Sequence, residues 1–138
     1  MTRSNKETAA LWFSEYWGKG NAGIVDELGA EDIHFYYPLT GPLDGRDAVK
    51  ACIKALFAAF PDIEFKPVGG FIAEGEWVAG RWTGEGTQTG EFAGIPATGK
   101  RVSFTGTTVY RVTDGMISEE LGEEDALLVL KQLGVIPE

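Results

Sequence analysis

At Pro61 the apolar pattern of the chain switches from helical to extended, and this switch restricts the topologies open to it. Upstream, Val49, Cys52, Ile53, Leu56, Phe57 and Phe60 recur at i, i+3, i+4, i+7, i+8 and i+11. That spacing draws one apolar stripe on a helix beginning near Asp44 or Asp47 and ended by Pro61. Downstream the period is two. It predicts strands over Ile63–Ile72, bent near Gly69-Gly70, over Trp77–Thr89, over Arg101–Val112 and over Met116–Leu121. Turns fall at Glu74-Gly75 and Asp114-Gly115, the latter a strong two-residue hairpin signal. Gly84, Gly86 and Gly90 predict bulges or bends. Residues 90–100 read as a loop and Glu123–Leu133 as a closing helix.

The N-terminal part supplies further helical surface. A helix over Lys6–Trp17, capped by Ser4 or Asn5, carries Ala9, Trp12, Phe13, Tyr16 and Trp17. A short helix over Ile24–Leu28, a strand over Asp32–Tyr37 ended by Pro38, and a loop over Leu39–Gly45 complete the reading. Helices followed by a run of antiparallel strands define an α+β class, with N-terminal and central helices on one face of a curved antiparallel sheet and a mostly apolar pocket between them. With 138 residues the chain reads as a single domain, 1–138.

Charge excludes some function classes. The net charge is −9 and the 12 Lys and Arg are scattered, whereas phosphate neutralisation needs clustered cations, so no nucleic-acid partner is expected. An anionic membrane would be repelled, and no run approaches the ~18 apolar residues of a spanning helix. Met1–Glu7 lacks the apolar stretch of a signal peptide, which gives a cytoplasmic expectation. Cys52, the one cysteine, allows no intramolecular disulfide and sits on the apolar helix stripe as an inert core residue. No His or Cys cluster suggests a metal site.

The last hairpin can be read by register. Val102, Phe104, Gly106, Thr108, Tyr110 and Val112 share the inward face. A two-residue turn pairs Thr113 with Met116, and regular pairing then sets Val112 opposite Ile117, Tyr110 opposite Glu119 and Thr108 opposite Leu121. Glu119 would lie inside, with Ser118 and Glu120 outside. A carboxylate in an apolar cavity is costly unless hydrogen-bonded, and burial raises its pKa toward the range useful for proton transfer. Glu119 facing Tyr110 is therefore the acid/base candidate. The same placement also fits a structural carboxylate bonded to buried backbone or an arginine.

Other residues admit two readings. His34 faces either the pocket or solvent. Tyr16, with Trp12, Phe13 and Trp17, belongs to the core, one or two of them reaching the pocket mouth. Trp82 shares an inward face with Val78. Ser14 and Ser118 have no neighbouring base, so no serine nucleophile is indicated. Asp125 opens the last helix, where the macrodipole favours a carboxylate.

About sixty residues resemble the SnoaL-like polyketide cyclase family. The likeness runs through Val78–Thr83, Gly86–Lys100 with its Gly94-Ile95-Pro96-Ala97-Thr98-Gly99-Lys100 segment, Val109–Ile117, and Asp125 through Gln132-Leu133-Gly134; the helix from Asp47 to Phe60 with Pro61-Asp62 after it matches too. The resemblance implies the cone-shaped α+β barrel of nuclear-transport-factor-like proteins, a homodimer formed through the outer sheet face, and no cofactor. It implies intramolecular aldol cyclisation, or a related isomerisation, of a hydrophobic carbonyl substrate, with an acidic residue near the end of the last strand as acid/base. Asp125 matches the family's acidic position. Gln88 stands where many members have histidine, and the only histidine, His34, lies on the first strand. A His–carboxylate dyad on the last two strands is thereby excluded. On this reading Glu119 or Asp125 moves the proton, Tyr110 and Gln88 hydrogen-bond the enolate, and Tyr16, His34, Trp82, Gln88, Thr108 and Leu121 contact the ligand. The alternatives are a binding protein that holds an apolar small molecule without chemistry, and a dimeric interaction domain with a filled pocket.

Overall fold

Ser4 starts the first helix. Its Oγ accepts from the Glu7 N–H at 3.1 Å while its own N–H donates to Glu7 Oε1 at 2.9 Å, a reciprocal capping box. In the computed structural model, which describes residues 2–137, helix α1 runs Asn5–Trp12 and continues as a π-helical segment, Phe13–Trp17. Met1 and Glu138, the two ends of the expected 1–138 domain, lie outside the described residues. The change of winding matters. On an α-helix, residues five apart point about 140° from one another, so Trp12 and Trp17 would diverge. The wider i→i+5 turn brings both indoles onto the same side.

Helix α2 (Ile24–Leu28) ends at Gly29, and six strands follow: β1 Gly29–Tyr37, β2 Gly41–Asp44, β3 Glu64–Glu74, β4 Trp77–Thr87, β5 Arg101–Thr113 and β6 Met116–Glu124. They form one sheet in the order β2-β1-β6-β5-β4-β3. Every pairing is antiparallel except β1 with β6, which is parallel, a departure from the all-antiparallel expectation. Strand β2 lies where a loop was expected; it is a short edge strand, the place where Pro42 costs no ladder hydrogen bond. The bend near Gly69-Gly70 is present as a register shift between Val68 and Ile72. No bulge occurs at Gly84 or Gly86, where the β4–β5 register is unbroken. Gly84 instead leaves room for the Phe65 and Phe104 rings.

Helix α3 (Arg46–Ala59) buries Val49, Ile53 and Ala59 in the core and packs against β1 and β2. Helix α1 packs against β3 to β6, and α4 (Ala126–Gln132) against β5. The core is one aromatic-rich cluster that includes Trp12, Trp17, Phe35, Tyr37, Phe65 and Trp82.

The final hairpin departs from the expected register at one residue. Asp114 (φ 52°) and Gly115 (φ 77°) make the primed two-residue turn that Asp-Gly favours, and Thr113–Met116 and Val112–Ile117 pair as expected. The register then shifts. Arg111 pairs with Glu119, Tyr110 with Glu120, Val109 with Leu121 and Thr108 with Gly122. Ser118 is the extra residue of a β-bulge: its Oγ donates to the Arg111 carbonyl at 3.1 Å and lies 2.9 Å from Thr113 Oγ1. A one-residue slip exchanges the two faces of a strand, so Glu120 points inward and Glu119 outward.

Candidate active site

Glu120 is fully buried. Its Oε1 accepts from the Trp12 indole N–H at 2.7 Å. Its Oε2 accepts from the Trp17 indole N–H at 2.7 Å and from the Tyr37 hydroxyl at 2.5 Å. The last residue of α1 and the last of the π-helical segment supply the two indoles, and the end of β1 supplies the tyrosine. Burial drives the Glu120 carboxyl up from its ordinary 4.5, the Tyr37, Trp17 and Trp12 donors pull it back, and the balance lies at about 7. Desolvation and the neighbouring Glu120 charge push the Tyr37 and Tyr110 hydroxyls well above their usual range. Tyr37 therefore stays a neutral donor while Glu120 changes protonation state.

The polar chain continues outward. The Tyr37 hydroxyl lies 2.6 Å from Thr108 Oγ1, which also accepts from the Trp82 indole N–H at 2.9 Å. Trp17, Tyr37 and Trp82 form part of the wall of a cavity of about 520 Å³, a size typical of small-molecule sites. Phe65 and Phe104 complete an aromatic wall. Ala48, Ala51, Cys52, Ala55 and Leu56 of α3 line the cavity too, and Phe92 and Ala93 reach it from the 90–100 loop. Cys52 is thus a wall residue rather than an inert core one, and burial raises its thiol to about 11.

Two glycines let the rings approach. A Cβ on Gly122 would overlap the Tyr37 ring, and one on Gly106 the Trp82 ring. Both glycines sit on the inward face, and their missing side chains are the space in which Tyr37 and Trp82 reach Thr108.

The other residues expected in the site lie as follows. Glu119 is half-buried on the outer face, its Oε2 3.6 Å from the Arg111 guanidinium; the bulge at Ser118 puts it there. Asp125 caps α4, its Oδ1 accepting from the Leu128 N–H at 3.2 Å, and is absent from the cavity wall. Tyr110 is buried opposite Glu120, and its hydroxyl has no hydrogen-bond partner among the described residues. Tyr16 is buried away from the cavity and donates to the Val49 carbonyl at 2.8 Å. His34 pairs with Asp44 at 2.8 Å at the surface. Leu121 follows the register slip to the outer face. Gln88 is buried as a loop clamp: its amide N–H donates to the Ile95 carbonyl at 3.0 Å, and its Oε1 accepts from the Thr98 hydroxyl at 2.7 Å. Trp82 lies on the wall, and Thr108 joins Tyr37 to Trp82 behind it. Sequence reasoning missed Glu120 and Tyr37. The signal lay in Trp12 and Trp17, two indoles whose spacing of five fits no single α-helical face.

Among the described residues, no group of three His, Cys, Asp or Glu side chains could hold a metal ion, and no helix is long and apolar enough to cross a membrane.

The chain is an α+β cone with a buried carboxylate, Glu120, beneath an aromatic-walled cavity. A family model described as SnoaL-like polyketide cyclase matches residues 7–133, and the chain belongs to that family. It is 31% identical over 120 residues to the aklanonic acid methyl ester cyclase DnrD of Streptomyces peucetius, covering 83% of this chain and 82% of that protein. Among solved structures, it is similar to one from Jannaschia sp. CCS1 assigned as a SnoaL-like polyketide cyclase, with TM-score 0.86, 26% identity and 99% of each chain covered. It is also similar to AclR of Streptomyces galilaeus, assigned as a hydroxylase, with TM-score 0.79, 28% identity, and 97% and 100% of the two chains covered.

Proposed function

We propose that the protein is a cofactor-free acid/base enzyme that cyclises or isomerises a hydrophobic carbonyl compound in the 520 Å³ cavity. The observation that carries this reading is Glu120: a buried carboxylate balanced near neutral pH and joined through the Tyr37 hydroxyl to a side chain on the cavity wall. A group titrating near the working pH both takes and returns a proton efficiently.

In an intramolecular aldol reaction, a proton leaves the carbon next to one carbonyl. The resulting enolate carbon bonds to a second carbonyl carbon of the same molecule, and the new alkoxide takes up a proton. The product is an isomer of the substrate. Glu120 holds the proton between the two transfers. Tyr37 passes it, donating to Glu120 as it accepts from the substrate side and reversing when Glu120 is the acid. Thr108 holds the Tyr37 oxygen in place. The aromatic wall excludes water from the enolate.

The cyclase relative acts on aklanonic acid methyl ester by name, and this compound is the first substrate to test. Conversion is followed by chromatography with mass detection, a product of unchanged mass being expected. Glu120→Gln should lower turnover by about 10²–10⁴-fold, and a Glu120→Gln variant with wild-type turnover defeats the proposal.

A second reading, a binding protein for an apolar molecule, is favoured by one observation: both Glu120 oxygens are already taken by Trp12, Trp17 and Tyr37, the pattern of a structural pin. Mass spectrometry of what elutes from purified protein separates the two readings, because a binder releases its ligand unchanged. The homodimer remains a proposal carried by the family likeness, and sedimentation equilibrium tests it.

A further inference from the structure

Trp12, Trp17 and Trp82 each bring an indole N–H to the polar network around Glu120, and an indole N–H can only donate. Two of them donate to the carboxylate itself. The third goes elsewhere: the Trp82 N–H donates to Thr108 Oγ1 at 2.9 Å. Trp82 pairs with Gly106 across β4 and β5, and its ring lies over that glycine to reach Thr108, the next inward residue. Phe65 and Phe104 hold the ring edge-on, at centroid distances of 5.6 and 5.7 Å.

The number of hydrogens fixes the direction of the chain. Tyr37 has one hydroxyl hydrogen, and it lies on Glu120 Oε2. The 2.6 Å bond between Tyr37 and Thr108 must then use the Thr108 hydrogen. The order is Trp82 to Thr108 to Tyr37 to Glu120, and every group in it is satisfied while Glu120 is ionised. Protonation of Glu120 breaks this order. The added hydrogen faces two donor-only indoles and one hydroxyl, so Tyr37 must accept it and turn its own hydrogen toward Thr108. The Thr108 hydrogen then has no acceptor, because Thr108 Oγ1 bonds only to Tyr37 and Trp82 among the described residues.

The other titratable groups near Glu120 supply no charge that would do the same work. Tyr16, Tyr37, Cys52 and Tyr110 face it from the π-helical segment, β1, α3 and β5, and Glu124 lies further along its own strand. Burial raises these hydroxyls and the thiol, which stay neutral at neutral pH, and raises the Glu124 carboxyl as well. Among the described residues, the groups that hold Glu120 ionised against burial are hydrogen-bond donors, not cations.

We propose that Trp82 is a positioning residue: by donating to Thr108 it turns the Thr108 hydroxyl toward Tyr37 and keeps Tyr37 a donor to Glu120. As a part of the proton path the inference rests on the reading of Glu120 as the acid/base, but its readout needs no turnover.

Carboxyl-carbon NMR of the full chain reads the titration midpoint of Glu120, assigned by the signal lost in Glu120→Gln. Trp82→Phe keeps a ring on the wall and removes the N–H. The Thr108 oxygen then lacks a donor while Glu120 is ionised and gains one, Tyr37, when Glu120 is protonated. Protonation becomes easier, and the midpoint should rise by about 0.5–1 pH units. Thr108→Val, which removes the link between Trp82 and Tyr37, should raise it too, and Thr108→Ser should keep the wild-type value. Phe104→Leu disturbs the packing of the same ring without removing a donor, and should leave the midpoint in place. An unmoved midpoint in Trp82→Phe or in Thr108→Val, or an equal rise in Phe104→Leu, overturns the proposal. Turnover of Glu120→Gln, measured alongside, separates the two claims. If that variant keeps wild-type turnover while the midpoint of Trp82→Phe rises, the Trp82 assignment stands and the acid/base reading falls.

Discussion

The Tyr37 ring occupies the space that a side chain on Gly122 would need, and this contact between the end of β1 and the inward face of β6 sets the tyrosine hydroxyl against Glu120. Gly122→Ala inserts a methyl group into that ring. Overpacking of this kind costs about 1–3 kcal/mol, and chemical denaturation reads it. Because Tyr37 must move, the variant should lose more turnover than stability alone explains; unchanged turnover would separate Tyr37 from the proton path.

Glu120→Gln should lower turnover by about 10²–10⁴-fold, the usual contribution of a positioned acid/base. Glu119→Gln should leave turnover near wild type, because its carboxylate faces Arg111 on the outer surface. A reversed ranking of the two variants would place the chemistry on the wrong face of β6.

Glu120 also makes stability depend on pH. Its folded pKa of about 7 lies above the ordinary 4.5, so between those values the folded chain holds more protons than the unfolded one. Its contribution is full below pH 4.5 and is lost as pH rises through about 7. The difference in unfolding free energy between wild type and Glu120→Gln should therefore shift against wild type by about 3 kcal/mol between about pH 4 and about pH 8. Urea denaturation at several pH values measures it. A flat difference would mean that the carboxylate does not titrate on folding in this range.

Gln88 should control the 90–100 loop. Gln88→Ala leaves the Thr98 hydroxyl and the Ile95 carbonyl without their buried partner, at a cost of about 1–3 kcal/mol. Limited proteolysis should cut the loop sooner than in wild type. An unchanged cleavage rate would show that the Phe92–Ile95 bridge alone holds it.

The sequence reveals the fold more fully than the site. The stripe from Val49 to Phe60, the alternation after Pro61 and the Asp114-Gly115 turn each correspond to an observed element, because each is a local pattern with a local physical cause. Strand β2 was hidden by its glycine and proline, Gly41 and Pro42, which edge strands tolerate. Glu119 and Glu120 are adjacent and identical in type, so only the register decides which one enters the core. That register depends on one extra residue, Ser118, whose hydroxyl satisfies the Arg111 carbonyl. No feature of an isolated strand announces such a bulge. The partners of Glu120 were illegible for a different reason: they come from a helix and a strand that meet β6 only after the sheet has assembled.

The parallel seam between β1 and β6 joins the two ends of the chain. Trp12, Trp17 and Tyr37 reach Glu120 across 108, 103 and 83 residues of sequence. A nascent chain emerging from the ribosome therefore cannot assemble the hydrogen-bonded cluster around Glu120 until nearly the whole polypeptide is out. The two indole side chains that clasp Glu120 are natural fluorophores, so their emission doubles as a built-in clock for the moment at which the cone closes.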